Sequence, residues 1–140
     1  MRHYVLVSHA WLSKGLASAA ELIIGKRENL KYYCAYIEEE QEHFKDTLLR
    51  DLDTLPPEDE VVVMTDMFGG SVNNELMELI HRENTHLVTG VNLALVIGIV
   101  LGDPEEPVGA LISRMVREAR DAMLYCNEMD LEEADPMDEF

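Results

Sequence analysis

An α/β domain, doubly wound around a mainly parallel sheet with helices on both faces, is the fold that this chain predicts. Three observations lead there. Short apolar runs alternate with segments of helical period along the whole sequence. The runs are rich in β-branched residues and end abruptly on polar residues or glycine, as buried strands do. No linker or internal repeat interrupts the pattern, and 140 residues fit a single domain.

Tyr4–Val7 reads as a short, fully buried strand. In "LSKGLASAAELIIGK", Leu12, Leu16, Ala20 and Ile23 share a helical face, and Gly25 supplies the stop. Tyr32–Ile37 is the next strand. Phe44, Leu48, Leu52 and Leu55 then mark a helix that Pro56 and Pro57 end. Val61–Thr65 is the clearest strand. Behind its paired glycines, "SVNNELMELIHR" predicts a helix with Val72, Leu76, Leu79 and Ile80 on one face and Ser71 as N-cap.

Leu87–Gly90 is a fourth strand, followed by "NLALVIGIVLG", a helix apolar on nearly every side. Such a helix must be covered all round, and a second copy of the chain is the expected cover. The last helix runs from about Pro107 to Asn127, with Val108, Leu111, Ile112, Met115, Ala119 and Met123 as its stripe. Alternation of this kind implies a parallel sheet between two helical layers. A strand order beginning 2-1-3-4 makes the first and third strands neighbours.

The 28 acidic and 11 basic residues leave a formal net charge of −17. That balance argues against nucleic acid as a partner, because phosphate backbones are bound by Lys and Arg. Residues 128–140 contain no basic residue and read as an acidic, frayed tail behind a functional unit of residues 1–127. The longest apolar stretch falls well short of the ~20 residues that span a bilayer. With no leader-like start, the reading is of a cytoplasmic protein that does not insert into membranes. Cys34 and Cys126 lie far apart and match no metal spacing, so two reduced, buried thiols are expected.

The chemistry concentrates at two strand ends. "VLVSHAWLSKG" stops on His9, and "VVVMTDMFGGS" stops on Asp66 before Gly69, Gly70 and Ser71. Ligands of doubly wound sheets bind beyond the carboxyl ends of strands, where the strand order reverses. No metal is expected: His43, His81 and His86 lie on other elements and no HExxH occurs. A Ser-His-Asp triad could use Ser71, but "MFGGSV" is not the G-x-S-x-G elbow.

A nucleophilic His9 fits better. Its imidazole attacks through one ring nitrogen while the other donates its proton to Asp66. Gly69 and Gly70 let backbone N–H groups approach an anion, and Ser71 adds a hydroxyl. A structural turn and a solvated histidine are the plainer alternatives; the coincidence of both features at adjacent strand ends favours a phosphoryl-transfer site. No Walker lysine or GxGxxG is present, so no nucleotide or other cofactor is expected. Trp11, Met67 and Phe68, just past the same strand ends, either pack under loops or form an apolar rim for a partner protein.

"VSHAWLSKG", "TDMFGGSVNNE" and "VTGVNLAL", in that order, resemble the mannose-family EIIA domain of the bacterial phosphoenolpyruvate-dependent sugar phosphotransferase system, from about Tyr4 to Tyr125. The resemblance implies that His9 is phosphorylated on Nε2 by the phosphocarrier HPr, and that the group passes to a histidine of EIIB. From there it reaches sugar entering through the membrane partners EIIC and EIID. It also implies that Asp66 holds the active histidine, that Ser71 is the site serine, and that the domain is a homodimer with an exchanged strand. Val72 and Ala94 stand where the family often has proline. A regulatory phospho-acceptor of the same fold, the phosphotransfer subunit of a dihydroxyacetone kinase and a small-molecule binding module are the competing readings.

Overall fold

The strand β1 (Arg2–His9) occupies the middle of the sheet because Tyr4 to Ser8 are apolar or small and buried on both faces. The computed structural model, which describes residues 1–130, continues with α1 (Leu12–Ile24), β2 (Leu30–Ala35), α2 (Phe44–Asp53) and β3 (Glu60–Thr65). Then come α3 (Ser71–Leu76), a 3-10 turn at Met77–His81, β4 (Thr85–Thr89), α4 (Leu93–Val100) and α5 (Val108–Asp121). The four strands pair in parallel in the order β2-β1-β3-β4, as the sequence pattern predicts.

Alternation along each strand divides the core into two layers. Tyr4, Leu6, Val62 and Met64 point to one side, where α1, α4 and α5 cover them. Val5, Val7, Val61 and Val63 point to the other, against Phe44, Leu48 and Leu52 of α2 and Val72 and Leu76 of α3. In register, Val7 is the last β1 residue opposite β3, whereas β1 stays paired with β2 as far as His9. The central strand therefore overshoots β3 by two residues, and His9 stands beyond the end of that ladder.

Several elements differ from their expected bounds. β2 starts and ends two residues early, because Tyr36 takes a left-handed φ of 63° that extended backbone cannot continue. In α1 the buried positions are Ser13, Ala17 and Ala20, while Leu12 is half exposed; small residues let this helix lie close to the sheet. The helix expected over residues 71–82 gives way to the 3-10 turn after one and a half turns. The tighter turn buries Leu79 and turns Ile80 outward. Gly70, not Ser71, is the N-cap.

α5 stops at Asp121, so Met123 leaves the stripe and is exposed. Cys34 is half buried and Cys126 exposed, against the expectation of two buried thiols. α4 buries Leu95, Val96, Ile99 and Val100. Its other side forms an apolar groove of about 400 Å³ with Ile23, Met115 and Ala119. Of the expected acidic tail, residues 131–140 lie outside the described residues. None of the described helices is long and apolar enough to cross a membrane.

Candidate active site at the carboxyl edge of the sheet

Where β1 runs past β3, the carboxylate of Asp66 takes over from the missing ladder. Its Oδ2 accepts the His9 backbone N–H at 2.9 Å, and Oδ1 accepts the Met67 N–H at 3.1 Å. The same Oδ2 lies 2.7 Å from Nδ1 of the His9 ring. A carboxylate accepts and cannot donate, so Nδ1 carries the proton and Nε2 keeps its lone pair. Nε2 in turn lies 3.2 Å from the hydroxyl oxygen of Ser71, which donates to it. His9 is about two-fifths exposed at its side chain and Asp66 is nearly covered, at 9%.

Burial by itself pushes the Asp66 carboxyl up. The backbone N–H and then the ring of His9 outweigh it, and the group sits below the usual carboxylate range. Asp66 is thus ionised beside the imidazole at neutral pH.

Buried polar contacts set the two loops. The Ser13 N–H donates to Ser8 Oγ at 2.7 Å, and the Ser13 hydroxyl donates to the Tyr33 carbonyl at 2.9 Å, which ties the start of α1 to β1 and β2. On the other side, the buried Thr65 hydroxyl donates to Asn73 Oδ1 at 2.7 Å, locking α3 onto the end of β3. Gly69, with a φ of 81°, makes the turn that returns the chain. At Gly70 a side chain would stand 3.4 Å from His9 Cε1, so the loop passes close under the ring. The Gly70 N–H is engaged by the Met67 carbonyl at 3.3 Å.

Trp11, Met67 and Phe68 all lie on these two loops and are exposed. Trp11 carries the Lys14 ammonium 5.2 Å from its ring centroid. The residue that the sequence pattern did not single out is Tyr36. Its hydroxyl donates to Ser71 Oγ at 3.1 Å, and its ring lies 5.5 Å from the His9 ring. The signal for it was available: it follows β2, the neighbour of β1, at the same edge of the sheet. Among the described residues, no group of three His, Cys, Asp or Glu side chains could hold a metal ion.

The fold and this edge define a class: a parallel α/β domain presenting a carboxylate-held histidine on its strand-end surface. Residues 3–116 match the family model of the fructose IIA component of the phosphotransferase system, EIIA of the mannose type. The chain belongs to that family. It is 36% identical to a Klebsiella pneumoniae protein described as a permease of the phosphoenolpyruvate-dependent sugar phosphotransferase system. That structure superposes with a TM-score of 0.85 over 91% of this chain and 92% of the other.

An EIIA component from Streptococcus agalactiae shares the fold, with a TM-score of 0.77 at 21% identity over 92% of this chain and all of that one. The mannose-specific EIIAB component of Escherichia coli K12 is 22% identical over 94% of this chain and 42% of its own length. The chain thus spans about two-fifths of that curated relative. It is a mannose-family EIIA component of the sugar phosphotransferase system.

Proposed function

We propose that His9 accepts a phosphoryl group on Nε2 from phospho-HPr and passes it to a histidine of EIIB, which serves sugar uptake through EIIC and EIID. The observation that carries this reading is the 2.7 Å contact between His9 Nδ1 and Asp66 Oδ2. It leaves Nε2 without a proton of its own, as the nucleophilic atom of the ring, with the Ser71 hydroxyl beside it. In the transfer, the donor's P–N bond breaks and its electron pair returns to the donor ring, while the Nε2 lone pair forms the new N–P bond. The proton on Nδ1 stays with His9. Positive charge that develops on the imidazole is balanced by Asp66, which is ionised before the reaction begins.

Gly69 and Gly70 leave room for the phosphoryl oxygens by having no side chains, and the Ser71 hydroxyl donates to one of them. Residues 1–127 make up the transferring unit in this reading, with 128–140 as an acidic appendage. The apolar groove beside α4 supports a homodimer, because a second copy would cover Ile23, Leu93 and Ile97. A cytoplasmic location follows from the partners.

Incubation with phosphoenolpyruvate, Enzyme I and HPr tests the proposal. The expected result is an acid-labile, base-stable phosphate that His9→Ala abolishes and that added EIIB removes. Undiminished labelling of His9→Ala refutes the assignment. A label retained in the presence of EIIB makes the domain a regulatory acceptor instead.

A further inference from the structure

Two of the three non-glycine residues with positive φ among those described, Ala10 and Tyr36, sit at the carboxyl edge beside His9. The third, Asn84, is of a type that tolerates this conformation in turns. For tyrosine the left-handed region is strained, and it persists only where surrounding contacts over-determine it. Those contacts are present. The Tyr36 ring packs edge-on against buried Phe44 at 5.8 Å. Gln41 clamps the loop on both sides: its Nε2 donates to the Cys34 carbonyl at 2.7 Å, and its Oε1 accepts the Ile37 N–H at 3.0 Å.

The strained backbone aims one group. The Tyr36 hydroxyl donates to Ser71 Oγ at 3.1 Å, and Ser71 Oγ lies 3.2 Å from His9 Nε2. With Asp66 fixing the proton on Nδ1, the hydroxyl chain has a single direction: Tyr36 to Ser71, Ser71 to Nε2. Ser71 is exposed, so without that anchor its hydroxyl can swing to other rotamers.

We propose that Tyr36 is a positioning residue for phosphoryl transfer, acting through Ser71. This rests on the reading of His9 as the phosphoryl acceptor. In the resting site the Ser71 proton occupies the Nε2 lone pair. Attack requires that lone pair, so the Ser71 O–H must turn away. With Tyr36 holding Oγ, the hydroxyl turns about its Cβ–Oγ bond towards the incoming phosphoryl oxygen, and the oxygen itself stays in place. The donor's bond to phosphorus breaks, the Nε2–P bond forms, and Tyr36 exchanges no proton with the substrate.

Phosphoramidate tests this without any protein partner. It transfers its phosphoryl group to an imidazole nitrogen, with its P–N bond broken and ammonia released. Initial rates of His9 labelling are measured for the intact protein, Tyr36→Phe, Ser71→Ala and the double variant. Tyr36→Phe keeps the ring on Phe44 and removes only the hydroxyl. The loss of one neutral hydrogen bond predicts labelling about five-fold slower. In the Ser71→Ala background the same change has no further effect, which a merely structural role would not produce. Wild-type labelling rates in Tyr36→Phe, or an undiminished effect in the Ser71→Ala background, overturn the proposal while His9 remains the acceptor. An intact protein that takes no label on His9 overturns both.

Discussion

The backbone N–H and the ring Nδ1 of His9 end on one atom, Oδ2 of Asp66, at 2.9 and 2.7 Å. One carboxylate oxygen thereby fixes both where the strand stops and how the ring is turned. Asp66→Asn keeps the size of the side chain and removes the charge that balances the imidazole. Charge-assisted hydrogen bonds contribute about 1.5–3 kcal/mol, so labelling of His9 should slow by about ten- to a hundred-fold. Initial labelling rates and a thermal melt measure this together. A variant that labels normally removes Asp66 from the mechanism.

The same carboxylate makes stability depend on pH in a definite direction. Its folded-state pKa lies below the unfolded value, because the His9 N–H groups outweigh the opposing effect of burial. The stabilisation is therefore complete above the unfolded carboxylate range and is lost as pH falls through the lower, folded pKa. Asp59 behaves alike: the His3 ring beside it, at 2.8 Å, is the main cause of its lowered pKa. Urea midpoints should separate intact protein from Asp66→Asn widely at pH 7, and the gap should narrow as pH falls below the unfolded carboxylate range. A gap that widens on acidification contradicts the sign.

Strand order, the central position of β1 and the meeting of His9 with Asp66 were legible because apolar runs ending on polar residues are a local signal. Tyr36 was not. Its placement depends on a positive φ that no propensity assigns to tyrosine, sustained by Gln41 and Phe44 from further along the chain. The split between α3 and its 3-10 turn was hidden for a related reason. Leu76 and Leu79 are buried in both geometries, so the periodicity of "SVNNELMELI" does not distinguish them. Trp11 and Phe68 could be placed just past strand ends, but whether their rings faced inward or outward was a tertiary fact.

Two glycines separate room for the substrate from room for packing. A Cβ at Gly70 would meet Cγ of the exposed Met67 at 2.8 Å, the Met67 carbonyl oxygen at 3.3 Å and His9 Cε1 at 3.4 Å. Rotating Met67 relieves the first contact and a shift of the exposed loop by a few tenths of an ångström relieves the second, so Gly70→Ala should still fold and should label His9 slowly. A Cβ at Gly102 would meet Leu111 Cδ1 at 2.7 Å, and Leu111 is fully buried. Gly102→Ala should lose about 1–3 kcal/mol, the usual cost of overpacking. It should retain its labelling rate per folded molecule. Urea unfolding beside labelling rates checks the pair, and a reversed pattern refutes the division.

Trp11 and Phe68 expose 58% and 76% of their surface on the loops that follow β1 and β3, on either side of the site. Exposed aromatics flanking a shallow site serve a protein partner better than a small donor, which needs only Nε2 and the space above it. Aromatic side chains at the centre of an interface commonly contribute about 2 kcal/mol or more. Trp11→Ala and Phe68→Ala should each raise KM for phospho-HPr by about ten-fold or more while kcat changes little. Labelling by phosphoramidate should be unchanged in both, because neither ring is needed to hold His9. Met67 is the weaker candidate, since its side chain lies against the Gly70 turn. Steady-state kinetics with phospho-HPr, run beside the phosphoramidate assay, separates the outcomes. An unchanged KM in both variants places the partner on another surface, and a fall in phosphoramidate labelling moves the altered ring from the rim into the site.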